Sequence, residues 1–396
     1  MAISRQISHQ MEKASWIRRM FEQGMELKQI HGDQNVFDFT LGNPMFEPPE
    51  AFKQSLRDVV ADPTLGLHRY MPNAGFPDVR RTIATAISDV QDAALTERHL
   101  IMTTGAASAL NVVLKSLIDP EDEVIVLAPY FVEYLFYVSN HGGVSRVVQT
   151  DESFQLDAAA IQAALTPKTK AIVINSPNNP TGAVYPASSL NALADLLSAH
   201  RETTGRRVYV ISDEPYRRLV YDGVEVPPLL RIFSDSIVCT SHAKDLSIPG
   251  ERIGYIAIGP HCDQLEALAN ACSFSIRTLG FVNAPAIMQR AVAPLQQVSI
   301  DIDNYRRLRD QFFDGLTAIG YECVRPQGAF YLFPRCPVSD DIAFVNALME
   351  HRILAVPGSG FGRPGYFRLA YCVAAETIER SLPAFRKAFA ESQAES

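Results

Sequence analysis

In the stretch SHAKDLSIPGERIG, Ser241 to Gly254, one lysine (Lys244) follows a β-branched run and one arginine (Arg252) stands eight residues later, with Pro249 and Gly250 forcing a turn between them. Each is expected just past a strand. Two cations held that close repel one another unless they share an anion or the lysine is uncharged. The other apolar runs end in groups that bear on the choice. The run HLIMTT leads into Gly105, Ala106, Ala107 and Ser108. Small residues opening a helix let backbone N–H groups approach an anion, although a compact strand-to-helix turn looks the same in sequence. Asn179, in NNPTG after KAIVINSP, offers a donor and an acceptor, or is plain turn chemistry. Asp213, after VIS, is costly at the mouth of a buried strand unless a cation meets it, or else it is a cap, and Tyr216 lies three residues on. Tyr130, after EVIVLAP, either covers the face of a flat ring or belongs to the core.

A single ligand accounts for all of them. If Lys244 condenses with an aldehyde, it ceases to repel Arg252, and Arg252, Ser241 and the helix start at Gly105 can share one phosphate. Asp213 calls for a protonated ring nitrogen, and Asn179 suits a phenolic oxygen. Pyridoxal 5'-phosphate carries the aldehyde, the phosphate, the basic nitrogen and the phenol.

The elements that must position these residues follow from periodicity. Residues up to about 35 read as helix, with Met11, Ile17, Met20, Phe21 and Met25 spaced for one apolar stripe, and LGNPMFEPP breaks it. From about Ile101, seven short apolar strands (HLIMTTG, EVIVLAP, VSRVVQT, KAIVINSP, RVYVISDE, SIVCTSHA, RIGYIAIGP) mostly alternate with amphipathic stretches, which predicts an α/β fold with a mostly parallel sheet flanked by helices. Ligands of such sheets gather at the carboxyl ends of the strands. A helix over about 298–319 then leads to strand GAFYLFPR, helix AFVNALMEH, strand YFRLAYC and a last helix, a smaller α/β domain. The expected boundaries are an N-terminal arm contributing to the small domain (1–45), a large cofactor-binding domain (46–295) and the small C-terminal domain (296–396).

Composition excludes several classes. Across 396 residues the formal charge is -8, and no Lys/Arg-rich run could track phosphates, so nucleic acid is not an expected partner. Six cysteines lack C-x-x-C spacing, which points away from a metal site or a disulfide framework. The charged N-terminus does not read as a secretory signal, and no apolar run reaches membrane-spanning length, so no membrane partner and a cytoplasmic location are expected.

The ordered set HRYMPNAGFPDVRRTIA, TTGAASAL, APY, NNPTG, SDEPY, SHAKDLSIPGERIGY, GAFY and FRLAY resembles the class I/II aminotransferases of the fold-type-I pyridoxal-phosphate superfamily, aspartate aminotransferases among them, from about Phe37 to Tyr371. The resemblance implies ping-pong transfer of an amino group from an L-amino acid to a 2-oxo acid. It makes Lys244 the Schiff-base lysine and proton shuttle, Asp213 the partner of the pyridine nitrogen, Asn179 and Tyr216 the partners of the phenolic oxygen, and Tyr130 the ring-stacking residue. Gly105, Ala106, Ala107, Ser241 and Arg252 would bind the phosphate, joined by Tyr70 from a second subunit of a homodimer. Arg368 would clamp the substrate α-carboxylate, and Gly42 would close over it through its backbone. Where many relatives carry a hydroxyl after the phosphate-loop glycine, this chain has Ala106 and Ala107, so backbone groups carry more of the contact, with Ser108 as a further donor. Arg277, six residues before Asn283, stands near the position of the arginine with which aspartate enzymes bind a distal carboxylate. Two alternatives stay open: another reaction on the same scaffold (β-elimination, decarboxylation, racemisation, amino-acid oxidation), or an amino-acid-sensing regulator, for which a fold starting near residue 35 leaves no room for a DNA-binding domain.

Overall fold

The structure, a computed structural model, describes residues 2–64 and 66–394, the side chains of residues 9 and 12–22 excepted. Its strands are β1 (Phe37–Asp38), β2 (Leu100–Thr103), β3 (Glu123–Ala128), β4 (Val144–Gln149), β5 (Thr169–Asn175), β6 (Tyr209–Asp213), β7 (Ser236–Ser241), β8 (Gly254–Ile258), β9 (Tyr331–Leu332), β10 (Ile353–Leu354), β11 (Val356–Pro357) and β12 (Phe367–Ala370). The seven strands read from the sequence are β2 to β8, and they form one sheet in the order β2-β8-β7-β6-β5-β3-β4. Alternate residues of its central strands enter two different cores. Val124 and Val126 of β3 pack with Val112 and Val113 of the helix Ala106–Leu117, while Ile125 and Leu127 pack with Leu190 and Leu193 of the helix Ala187–Thr204. Both faces being covered, these strands read as unbroken apolar runs. Each such buried branched side chain is worth roughly 1.5–3 kcal/mol. Edge strand β4, largely exposed, carries Ser145 and Arg146 instead.

β8 departs from the parallel rule, pairing antiparallel with both β7 and β2. This corrects the expectation that Arg252 stands just past a strand: it lies two residues before β8, beyond the short 3-10 turn Pro249–Glu251. Because β8 runs backwards, its amino end lies at the edge where the parallel strands end.

The C-terminal layer is built on β11-β12-β9, antiparallel throughout, and on β1 paired in parallel with β10. Phe37 and Phe39 thereby enter the same core as Phe312, Phe344 and Phe385, and the Phe39 and Phe312 rings lie 4.8 Å apart. The helix expected from about 298 begins at Ile302, because the Asp301 side chain accepts from the Asp303 amide and caps it. The expected strand GAFYLFPR shrinks to Tyr331–Leu332. Ala329 has φ +57°, its amide donates to the Leu219 carbonyl and its carbonyl accepts from the Tyr371 hydroxyl, so this backbone is engaged elsewhere.

The first helix spans Arg5–His31, with Ser4 capping it through the Ile7 amide. Of its apolar stripe, Met11 and Met25 are about half exposed, and the side chains of Ile17, Met20 and Phe21 lie outside the described residues. Among the described residues no helix is long and apolar enough to cross a membrane.

Candidate active site

The register of the sheet builds the site. Gly254 of β8 pairs with Thr103 at the end of β2 and with Ser241 at the end of β7. The helix start at Gly105, the segment carrying Lys244 and the approach to β8 carrying Arg252 therefore meet at one edge. The ends of β5 and β6 bring Asn175 and Asp213 to the same edge. A cavity of about 400 Å³ opens there. Of the residues singled out from the sequence, Gly42, Ala106, Ala107, Asn179, Asp213, Tyr216, Ser241, Lys244, Arg252 and Arg368 line it.

Asp213 is buried, and its Oδ2 accepts a 2.5 Å hydrogen bond from the Tyr134 hydroxyl while its Oδ1 has no partner among the described residues. Burial pushes its carboxyl up to about 7, with Tyr134 opposing and Glu214 adding to the rise. The backbone beneath is fixed, because the Asn175 side chain donates to the Asp213 carbonyl at 2.9 Å. An unpartnered buried carboxyl oxygen at a cavity wall suits a cationic N–H donor.

The Lys244 ammonium donates to the Gly42 carbonyl at 2.8 Å and lies 5.2 Å from the centre of the Phe330 ring and 5.8 Å from that of Tyr216. Its pKa is lowered to about 8, first by burial and then by Arg252 and Arg368, with Cys372 opposing. Repulsion by Arg252 therefore contributes less to neutralising the lysine than desolvation does. Gly42 must be glycine here, since a Cβ would fall 1.8 Å from the Tyr331 hydroxyl oxygen.

Arg252 adopts a left-handed backbone (φ +50°), and its Nη1 donates to the Pro249 carbonyl at 2.9 Å; no carboxylate among the described residues pairs with it. It lies against the start of the helix Ala106–Leu117, where Gly105 has φ +99° and caps without a side chain. A Cβ on Gly105 would come within 3.0 Å of an Arg252 nitrogen. Uncapped N–H groups beside a guanidinium suit an anion. Ser108 is not the further donor expected there: its hydroxyl donates to the Gly105 carbonyl at 2.8 Å.

Arg368, on β12, is buried, and among the described residues no carboxylate pairs with it. Its Nη1 donates to the Asn179 side-chain oxygen at 3.1 Å and its Nη2 to the Thr40 carbonyl at 2.6 Å, while Nε is unpaired. The guanidinium lies between the rings of Tyr331 and Phe361, at 4.7 and 4.8 Å. With its oxygen so engaged, Asn179 has its amide N–H groups left to offer. Tyr216 and Tyr331 share a 3.0 Å hydroxyl contact.

Gly105 adjoins this wall through Arg252 without lining the cavity, and three other expected residues are not brought to it. Tyr130 is buried behind it, its ring so near Gly362 that a Cβ there would fall 2.5 Å away, and the next residue, Phe131, lines the cavity in its place. Tyr70 is 91% exposed. Arg277 is exposed at the end of the helix Leu265–Thr278, its guanidinium over the Phe274 ring at 5.2 Å. Conversely, Phe131, Glu133 and Tyr331 line the cavity without having been singled out, and Tyr134 holds Asp213 from behind. Tyr331 lies within the GAFY motif, and Glu133 is the one charge in PYFVEYLFY, a signal that could have found it. Nothing in sequence ties Tyr134 to Asp213, 79 positions apart.

The family described as aminotransferase class I and II matches residues 34–385. The chain is 36% identical to an aspartate/prephenate aminotransferase of Thermus thermophilus, over 88% of this chain and 89% of that protein. It is 32% identical to an aspartate aminotransferase of Geobacillus stearothermophilus, over 94% and 95%. Among solved structures, an aminotransferase from Eubacterium rectale superposes with a TM-score of 0.95 at 37% identity, covering 99% of both chains. The aspartate aminotransferase of Thermus thermophilus with maleate gives 0.84 at 33% identity, covering 93% and 95%.

Proposed function

The chain belongs to the class I and II aminotransferases, enzymes that use pyridoxal 5'-phosphate to move an amino group from an amino acid to a 2-oxo acid, and from that premise we propose how its own residues divide the work. The residues present fit the cofactor, and the unpartnered Oδ1 of buried Asp213 is the observation that carries the reading. When bound, the cofactor supplies an aldehyde for covalent attachment and a ring that takes up electrons from the substrate. Lys244 would be the residue to which the cofactor is joined, and its amine would be the base that holds or moves a proton at the substrate Cα. Asp213 holds the proton on the ring nitrogen, with Tyr134 orienting the carboxylate. Tyr216 and the free N–H groups of Asn179 bond the phenolic oxygen, while Phe131 rather than Tyr130 covers the ring. Arg252, Ser241 and the helix start at Gly105, Ala106 and Ala107 hold the phosphate.

Arg368 takes the substrate α-carboxylate. Its planar fork, held between Tyr331 and Phe361, presents two parallel N–H donors where a lysine would present a point charge. Gly42 closes over that carboxylate as residues 1–45 and 296–396 move against 46–295 and exclude water.

The exposure of Tyr70, Met11, Met25 and Phe274 supports a homodimer. In it, Tyr70 of the partner subunit joins the phosphate and Arg277 of the partner subunit meets the distal carboxylate of a dicarboxylic amino donor, in keeping with the relatives' names. Arg277→Ala is expected to lower kcat/KM for aspartate roughly 10- to 100-fold while sparing alanine. Equal effects on both donors, or a protein that sediments as a monomer, would remove Arg277 from the site.

Transamination has a stoichiometric test. Holoenzyme given one amino acid and no acceptor is expected to convert its bound cofactor to the pyridoxamine form and release the matching 2-oxo acid, without ammonia. Release of ammonia with the aldehyde form regenerated would replace the reading with a lyase.

A further inference from the structure

Among the described residues lining the cavity, the charged ones are Glu133, Asp213, Lys244, Arg252 and Arg368. The proposed chemistry employs four: Asp213 on the ring nitrogen, Lys244 as attachment and shuttle, Arg252 on the phosphate, Arg368 on the α-carboxylate. Glu133 is left over, and it is a carboxyl group. It opens the helix Glu133–Asn140, directly after Phe131 and Val132 on the same wall. Its Oε2 is shielded from solvent and has no hydrogen-bond partner among the described residues. Among the described residues no lysine or arginine forms an ion pair with it. Burial raises its carboxyl, with its own backbone amide and, less strongly, the Arg368 guanidinium pulling the other way, so Glu133 and Arg368 share one electrostatic environment.

A structural role would leave Oε2 bonded as well; a shielded carboxyl oxygen without a partner costs stability and persists where something else makes use of it. Once Arg368 fixes the α-carboxylate, the substrate side chain is the remaining part of the molecule free to approach Glu133. A second carboxylate in that place would meet a like charge, and among the described residues lining this cavity no unassigned cation offsets it, which leaves the proposed Arg277 of the partner subunit as the opposing attraction.

We propose that Glu133 is a specificity-determining residue of the proposed transamination, a carboxyl group that reads the substrate side chain and disfavours a distal carboxylate relative to a neutral side chain. It tempers the preference for dicarboxylic donors and widens the range toward neutral amino acids. Selectivity is then set by a repulsive group as well as by attractive ones. The inference rests on the reading of the site given above.

The test is Glu133→Gln in the holoenzyme, with kcat/KM measured for aspartate and for alanine, and with maleate, a dicarboxylate that cannot react, titrated by calorimetry. The variant is expected to raise the aspartate-to-alanine ratio about tenfold and to tighten maleate by a similar factor, as removal of one like-charge contact in a partly water-excluded site does. A purely structural role would scale both donors together and leave the ratio unchanged, and that result, or a fall in the ratio, overturns the proposal. Should Glu133→Gln fold poorly, Glu133→Ser carries the same prediction. Wild-type holoenzyme that transaminates no amino acid would overturn the reading of the site itself, whereas unchanged maleate affinity in an active variant overturns only the role of Glu133.

Discussion

Lys244→Ala is expected to lower turnover by roughly four orders of magnitude, the upper end of what a positioned proton-transfer group contributes. Borohydride treatment of the holoprotein should fix the cofactor's mass to the wild-type peptide containing residue 244 and to no peptide of the variant. The physical reason is the depressed basicity of this amine. Burial strips its ammonium of water, and Arg252 and Arg368 add positive potential, which brings the pKa to about 8. An ordinary lysine would be almost wholly protonated near neutrality, whereas this one exposes a substantial neutral fraction able to attack an aldehyde. Attachment of the cofactor should therefore quicken as pH rises through about 8 and level off above it. A variant that turns over normally, or an attachment rate flat between pH 7 and 9, would remove Lys244 from the chemistry.

The second large effect concerns Asp213. Asp213→Asn keeps the shape and removes the charge, and it is expected to lower turnover by roughly 10³-fold, the scale of losing one preorganised electrostatic partner. A separate readout needs no substrate. In the cofactor-free protein, burial holds the Asp213 carboxyl up at about 7 against 3.8 for the ordinary group. Between those values the unfolded chain has released a proton that the folded chain still holds, so this residue's contribution to stability falls as pH rises from about 4 to about 7 and stays low above that. The cost is on the order of a few kcal/mol. Cofactor-free Asp213→Asn should consequently lose less thermal stability than wild type between pH 5 and 8. Parallel melting profiles would mean that the carboxyl is not the buried, uncompensated group described. Bound cofactor should erase the difference in the wild type, because a ring N–H cation gives the carboxylate the partner it lacks.

Much of the site was legible because strand ends are marked in sequence by abrupt change. Where VIS gives way to Asp213, or SIVCT to the segment bearing Lys244, an apolar run stops at a polar residue, and an open α/β sheet requires such stops to gather along one edge. The small residues at Gly105 to Ala107 were legible for a related reason, since only backbone crowding calls for them. The assignments that moved were those depending on side-chain direction. Tyr130 and Phe131 are equally aromatic neighbours at the end of one strand, and rotation of the chain by a single residue decides which ring faces the cavity and which backs onto Gly362. Ser108 has the right hydroxyl in the right turn, yet its own helix start offers a nearer acceptor.

By itself, then, the order of residues determined the alternation of strands and helices, the seven strands of the sheet, and the chemical types gathered at their ends, because hydrophobic period and turn chemistry are local properties. Tertiary structure alone decided the rest: that β8 runs backwards and so delivers Arg252 to the mouth, that Tyr134 reaches Asp213 from another strand's helix, that Arg368 lies between Tyr331 and Phe361 beside Asn179, and that Glu133 lines the same cavity with its Oε2 unpaired among the described residues. These contacts join positions tens to hundreds of residues apart. Their energies depend on distance and burial in the folded chain, and neither quantity is a property of neighbours in sequence.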